Sequence, residues 1–354
     1  MRKRIISRFR KRPVLSAAQV LFALAVASVL TVQGVMWSQW SVFAVGTWAA
    51  TAAGALETRV ASLAGPDVAQ RMFGPSERAV LPFSYRGRTY FVAVTVPAAE
   101  LRAARVLPTE FVFGSRGRYR QAYVRTMVSS AQRDPVIEAA CVQLRATRDR
   151  LGLDDDAYAE LIARFVQQIP YGYAAPRFGA PSVVFADGRG VCADKTILLA
   201  SLLRHEGYGA AVVAIDSNSH AAVAVRGTSF GYLHTGYAYI ETTIDAYIGE
   251  VPPESGGAGP VEARTQVVPV GGWRVYQSDL ESEFVGETLV RAKQAARALA
   301  PYRGYAERGP ADSRSTFAGM AERHGEAVEL AGELRRAQDD RERTYALMTR
   351  SGGR

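Results

Sequence analysis

The sequence predicts an α+β protein in which a cysteine-bearing helix packs on an antiparallel sheet, with a transmembrane helix ahead of that domain. Three observations carry the prediction. Cys192 opens an apolar run, through Arg204, that reads as a buried helix. Strand-like segments follow at 210–215, 220–225 and 237–244, separated by polar or Gly-containing turns. Near the N-terminus, Val14 to Met36 is uncharged and apolar, long enough for a bilayer span, which needs roughly 20 residues.

The chain has 354 residues and a formal charge of +9. Arg2, Lys3, Arg4, Arg8, Arg10, Lys11 and Arg12 supply seven positives with no acid among them, leaving +2 for the remainder. The basicity therefore belongs to one tail, and no basic patch interleaved with aromatics points to nucleic acid. A basic tail over 1–12 ahead of an anchor over 13–36 places the N-terminus in the cytoplasm and the main domain outside it. Trp37 and Trp40 fall where an interfacial belt lies. Ala25-Val26-Ala27 resembles a small-residue cleavage site, so a removed signal peptide is the alternative. Residues 37–75 read as an apolar helical connector closed by Gly74-Pro75. Within it, Ser41 to Leu56 is Ala- and Gly-rich and short for a second span. It is expected to continue the helix or pack on the membrane surface; a crossing there would put the main domain in the cytoplasm.

The main domain is expected over 76–286, with its core at 158–253. Ser84 to Val96 alternates about the turn Arg86-Gly87-Arg88 and predicts a hairpin. Ala98 to Arg105 reads as a short helix, and Pro135 to Leu151 as a longer one stopped by Gly152. Asp154-Asp155-Asp156 followed by Tyr158, Leu161, Ile162, Phe165 and Val166 predicts a helix ending at Ile169-Pro170. A loop over 171–190, rich in Gly, Pro and aromatics, leads to Cys192, whose helix ends near His205-Glu206-Gly207. Residues 252–260 read as a Pro/Gly-rich boundary and 267–275 as irregular chain or strand. From 287 to 354 the chain reads as a helical extension with breaks around 303–310. Phe317, Met320, His324, Val328, Ala331 and Leu334 recur at helical spacing, which suits docking on the domain or self-association with a second copy. A solvated, frayed tail is the alternative.

Cys141 and Cys192 are the only cysteines. Cys141 lies in an apolar helical pattern and reads as a core thiol. No Cys/His spacing suggests zinc, and neither a metal nor a cofactor is expected. Cys192 sits instead in the first turn of its helix, where unpaired N–H groups favour a thiolate. With 220–225 and 237–241 paired antiparallel, His220 and Glu241 can lie opposite each other, Glu241 sharing a face with Tyr237 and Tyr239. Cys192, His220 and Glu241 then form a nucleophile, base and orienting acid. The backbone N–H of Cys192 is the expected oxyanion donor, with Gln168, Tyr171 and Tyr173 as candidates for a second. Taken singly, each member has a plainer reading: a packed thiol, a satisfied sheet histidine, a surface glutamate. The combination favours catalysis. Asp194 reads as stabilising the helix start and His205 as a C-terminal cap, while His234 and His324 have no evident role.

These residues resemble the transglutaminase-like superfamily. The resemblance rests on Gly190-Val191-Cys192-Ala193-Asp194-Lys195, Arg204-His205-Glu206-Gly207-Tyr208, His220-Ala221-Ala222-Val223 and Tyr239-Ile240-Glu241-Thr242-Thr243. Phe165 to Tyr171 and Gly249-Glu250-Val251-Pro252 are similar to segments of its prokaryotic, often archaeal, membrane-anchored members. The likeness covers about 158–253 and extends more weakly back to about 84. It implies a papain-like thiol fold and reaction of peptide-like amides, in a peptide or protein substrate, through an acyl-thioester. Water as acceptor gives hydrolysis and an amine gives transfer. It also implies a non-catalytic alternative, since some members serve without activity: an envelope binding or scaffolding module. Val191 and Ala193 stand where the closer subgroup carries Asp and Glu, and Glu241 where an Asp is common.

Overall fold

The computed structural model describes residues 17–107, 118–172, 179–215, 220–252, 265–308, 311–340, 343–344 and 346–348; the side chains of 17–39, 118–119, 304–308 and 311–317 lie outside that description. The chain is α+β. Helix α1 (Ala17–Ala64) runs without interruption into the predicted connector, and α2 (Pro66–Phe73) completes it after a break at Gly65. The expected cytoplasmic tail at 1–12 lies outside the described residues, as do the side chains of the expected span at 13–36. Among the described residues no helix is long and apolar enough to cross a membrane.

The second half of α1 is part of the domain rather than a free connector. Phe43 is fully buried and stacks on Tyr123 with ring centroids 5.0 Å apart. Glu57, also buried, accepts from the N–H groups of Ala98 (3.1 Å) and Ala99 (2.8 Å) and from Ser76 Oγ (2.6 Å). It thereby satisfies the open start of α3 (Ala98–Arg105), where unpaired donors favour an anion.

Strands β1 (Glu77–Tyr85) and β2 (Arg88–Val96) form the predicted hairpin, with β1 beginning earlier than expected. Arg86 (φ 48°) and Gly87 (φ 70°) both occupy the left-handed region, as a two-residue turn matched to strand twist requires. The inward faces alternate as Ala79, Leu81, Phe83, Tyr85 and Tyr90, Val92, Val94, Val96. They pack on α5 (Pro135–Leu151) and α6 (Asp155–Gln167). Both helices begin and end where caps dictate. Asp134 accepts from the Val136 N–H (2.7 Å), Asp154 from the Ala157 N–H (2.7 Å), and Gly152 adopts the left-handed conformation after α5. Helix α4 (Arg118–Ala131) precedes them. It has no counterpart among the predicted elements, although Tyr123, Val124, Met127, Val128 and Ala131 are buried at helical spacing.

The loop before Cys192 contains a short helix, α7 (Pro181–Asp187), where none was expected. Helix α8 (Cys192–His205) then crosses the centre of the molecule, with Asp194 through Leu203 all buried. An antiparallel sheet packs against it in the order β5-β4-β3-β6. The strands are β3 (Ala210–Ile215), β4 (His220–Arg226), β5 (Tyr237–Ile240) and β6 (Thr265–Gly271). Val212, Val223, Val225 and Ile240 face α8, while Ala211, Val213, Ala222, Ala224 and Tyr239 form a second apolar layer on the opposite side. Burial on both faces accounts for the unbroken apolar run of β3.

Helices α9 (Asp279–Arg308) and α10 (Ala311–Arg336) form a hairpin docked on the chain just after β5. Tyr247, Val285, Leu289, Leu334 and Ala337 share an apolar cluster. Glu250, nearly inaccessible, receives Arg335 Nη2 (2.7 and 2.9 Å) and Lys293 Nζ (3.2 Å). A Cβ on Gly286 would lie 2.7 Å from Glu250 Cα, and one on Gly249 2.7 Å from Glu283 Cα, so this approach needs both glycines. The C-terminal end of α10 thus docks on the domain itself. Helix α9 starts at Asp279 rather than near 287, because the Asp279 carboxylate accepts from the N–H groups of Thr228 (2.9 Å) and Ser229 (2.7 Å), fixing the helix start against that loop.

Candidate active site

Cys192 is the first residue of α8 and half-buried, after an extended Val191. Asp194 sets this geometry. Its carboxylate accepts from the Val191 N–H (3.0 Å), reaching back across the first turn, and from the Gly179 N–H (2.8 Å), tying the upstream loop to the helix start. Burial raises the Asp194 carboxyl to about 6 against those two hydrogen bonds. The expected structural role of Asp194 is the one it plays. Gly190 lies between, bridged to Tyr171, with its N–H on Pro170 O (3.1 Å).

His220 opens β4, and Glu241 follows the last residue of β5. The pairing differs from expectation by two residues. Val223 pairs with Ile240, so continuing the ladder sets Glu241 beside Ala222, with His220 diagonal to it on the same face. The longer glutamate side chain reaches across that diagonal: His220 Nε2 and Glu241 Oε2 are 2.9 Å apart. The third strand also ends at Ile240 instead of 244, since Glu241 Oε1 takes the N–H groups of Thr242 and Thr243, both at 2.9 Å, and Thr243 Oγ1 at 2.7 Å. Tyr239 donates its hydroxyl to Oε2 at 2.8 Å. Glu241 is fully buried, not a surface carboxylate.

His220 also acts electrostatically on the Cys192 thiol, as do the nearby N–H groups of Ala221 and Ala193. With Nε2 on Glu241, Nδ1 is the nitrogen left to exchange a proton with sulfur. Burial opposes charge on all three side chains, and their mutual contacts override it. The Cys192 thiol is held below its ordinary value by His220 and the two N–H groups. His220 is raised to about 9 by Cys192 and Glu241, and Glu241 is lowered to about 2 by His220 and Thr243. Both shifts favour the charged forms, thiolate on Cys192 and imidazolium on His220.

Two further residues build the site, and the sequence reading passed over both. Lys195, one turn after Cys192, is fully buried; Nζ donates to the carbonyls of Gln167 (2.9 Å) and Ile169 (2.7 Å) at the end of α6. Burial lowers its pKa to about 8 against the nearby Glu241 and Asp245 charges. Gln167 donates to the carbonyls of Glu241 (3.0 Å) and Ala246 (2.9 Å). The end of α6 therefore holds the nucleophile helix and the Glu241 turn in one frame. Ala159 and Ala163, buried four residues apart, mark the face on which Gln167 falls, and that spacing was the available signal.

Gln168 does not join the site. It accepts from the Ser84 N–H (2.8 Å) and donates to Ser84 O (2.9 Å), tying α6 to β1. Tyr171 lies beside Gly190 and is 59% exposed; Tyr173 lies outside the described residues. His205 pairs with Glu138 on α5 (2.7 Å) instead of capping its own helix, and His234 packs edge-on to Phe230. Cys141, His205 and Glu206 carry donor atoms within 4.8 Å of one another, a grouping that sequence spacing did not suggest. The cation at that place is Arg145, on Glu206 (2.6 Å) and Glu138 (2.9 Å). Both cysteines are free thiols.

No protein-family model, curated protein or solved structure matches the chain.

Proposed function

We propose that the protein is a membrane-anchored cysteine enzyme of transglutaminase-like, papain-like type, acting on peptide-like amides through an acyl-thioester. The observation that carries this reading is the His220 imidazole held on the buried Glu241 carboxylate, together with the pull of that imidazole on the Cys192 thiol. The thiolate attacks the amide carbonyl carbon, forming a C–S bond while the carbonyl π electrons move to oxygen. The Cys192 N–H at the head of α8 is placed to stabilise that oxyanion. Imidazolium gives its proton to the leaving nitrogen as the C–N bond breaks, leaving a thioester and neutral His220. Water or an amine then attacks the thioester; His220 accepts its proton and the thiolate is released. Glu241 stays ionised, orienting the ring and stabilising the imidazolium. The apolar 13–36 segment and the basic tail support an anchor with the domain outside the cytoplasm, where envelope protein or peptide is the available amide.

Acylation by p-nitrophenyl acetate tests the chemistry without a known substrate. The account expects a nitrophenolate burst and an acetyl adduct on Cys192, both absent from Cys192→Ala. Acetylation spread over lysines, with no burst lost in Cys192→Ala, would favour a non-catalytic binding module.

A further inference from the structure

A cavity of about 460 Å³ lies on the outer side of the sheet, between β5, the loop at 231–232, the chain after Gly249 and the inward face of α9. Its size is that of small-ligand pockets, roughly 300–1,000 Å³. The half-buried Tyr232 walls one side, backed by the buried Tyr239 with ring centroids 5.1 Å apart, and Val251 extends that apolar surface. The opposite side is acidic. Glu283 and Glu287 stand one turn apart on α9 and both line the cavity. Glu287 is paired with Arg291 (3.1 Å), which also lines it, so those two charges offset each other. Glu283 is half-buried and has no basic partner among the described residues. Burial and the neighbouring Asp279 and Glu287 raise its carboxyl, as expected for a charge without a counterion. Asp279, by contrast, is satisfied by Thr228 and Ser229.

A tyrosine ring and apolar surface facing one uncompensated carboxylate are complementary to a single positive charge on an apolar stem. The cavity also adjoins the candidate active site, since Tyr239, which borders it, bonds Glu241 through its hydroxyl. We infer that this cavity is a binding site for the side chain of a lysine or arginine residue of a polypeptide. Its use as a substrate subsite rests on the thiol-enzyme reading; the charge it selects does not.

The test uses the full-length Cys192→Ala protein, which binds without turnover, titrated calorimetrically with Nα-acetyl-lysine methylamide and with the uncharged norleucine analogue. The expected result is binding of the lysine compound about tenfold tighter or more, a difference of about 1.4 kcal/mol. Glu283→Gln should remove most of that preference and Glu287→Gln less of it, with circular dichroism unchanged in both. Equal binding of the two compounds, or a preference that Glu283→Gln leaves intact, overturns the proposal. Failure of the acylation experiment with the lysine preference present would instead remove only the catalytic reading.

Discussion

Cys141 and Cys192 are the same side chain on two adjoining parts of one core, and their surroundings give them opposite character. Cys141 is completely inaccessible in the middle of α5; burial and the neighbouring Glu206 push its thiol far up. Cys192 begins α8, half-buried, and its thiol is pulled down by His220 and by two backbone N–H groups. Neither has a disulfide partner. The difference in acidity between the two thiols therefore comes from helix position and one imidazole, and the residue type alone carries little of it.

The largest perturbation of that contrast is His220→Ala. It should slow acetylation of Cys192 at neutral pH by about 10²–10⁴-fold while leaving Cys141 as inert as before. Retention of the fast reaction would mean that the helix start alone activates the thiol. Glu241→Gln should act less strongly. Loss of the carboxylate removes one of the two partners that raise the imidazole and so lowers its pKa. The falling limb of the pH–rate profile, expected where His220 loses its proton at about 9, should then move to lower pH. An unmoved limb would assign it to another group. The same shift has a stability consequence. Because His220 is raised from 6.5 to about 9, its contribution is fully present below pH 6.5 and lost as pH rises through 9. Cys141→Ser, the smallest effect on chemistry, should leave the Cys192 rate unchanged while lowering unfolding free energy by about 1–3 kcal/mol, through a buried hydroxyl in an apolar site. A changed Cys192 rate in that variant would couple the two thiols.

How much of this was legible in the sequence follows the same division between local and non-local causes. The bounds of α5, α6 and α8 could be read because caps and stops are written in adjacent residues: Asp134-Pro135, Asp154, Gly152 and Gly207. The hairpin turn was legible for the same reason. Helix α4 was not, since its buried spacing has no terminal signal, and neither was the start of α9, which a loop fifty residues earlier fixes. The three candidate catalytic side chains could be named, but not their register. An Ala-rich β4 offers little to choose between one pairing and another, and the two-residue offset appears only in the sheet. The adjacent Gln167 and Gln168 show the limit: one holds the Glu241 turn, its neighbour holds β1, and only the orientation of α6 separates them.

The central claim, that Cys192 is an activated thiolate and Cys141 is not, is tested most directly by iodoacetamide labelling of both thiols in the full-length protein as a function of pH. Mass spectrometry would read each site separately, in wild type and in His220→Ala. The account predicts fast labelling of Cys192 well below the ordinary thiol range of about 8.5, slowed in His220→Ala, with Cys141 unlabelled throughout. Labelling of Cys192 that rises only near 8.5 and ignores His220 would contradict it.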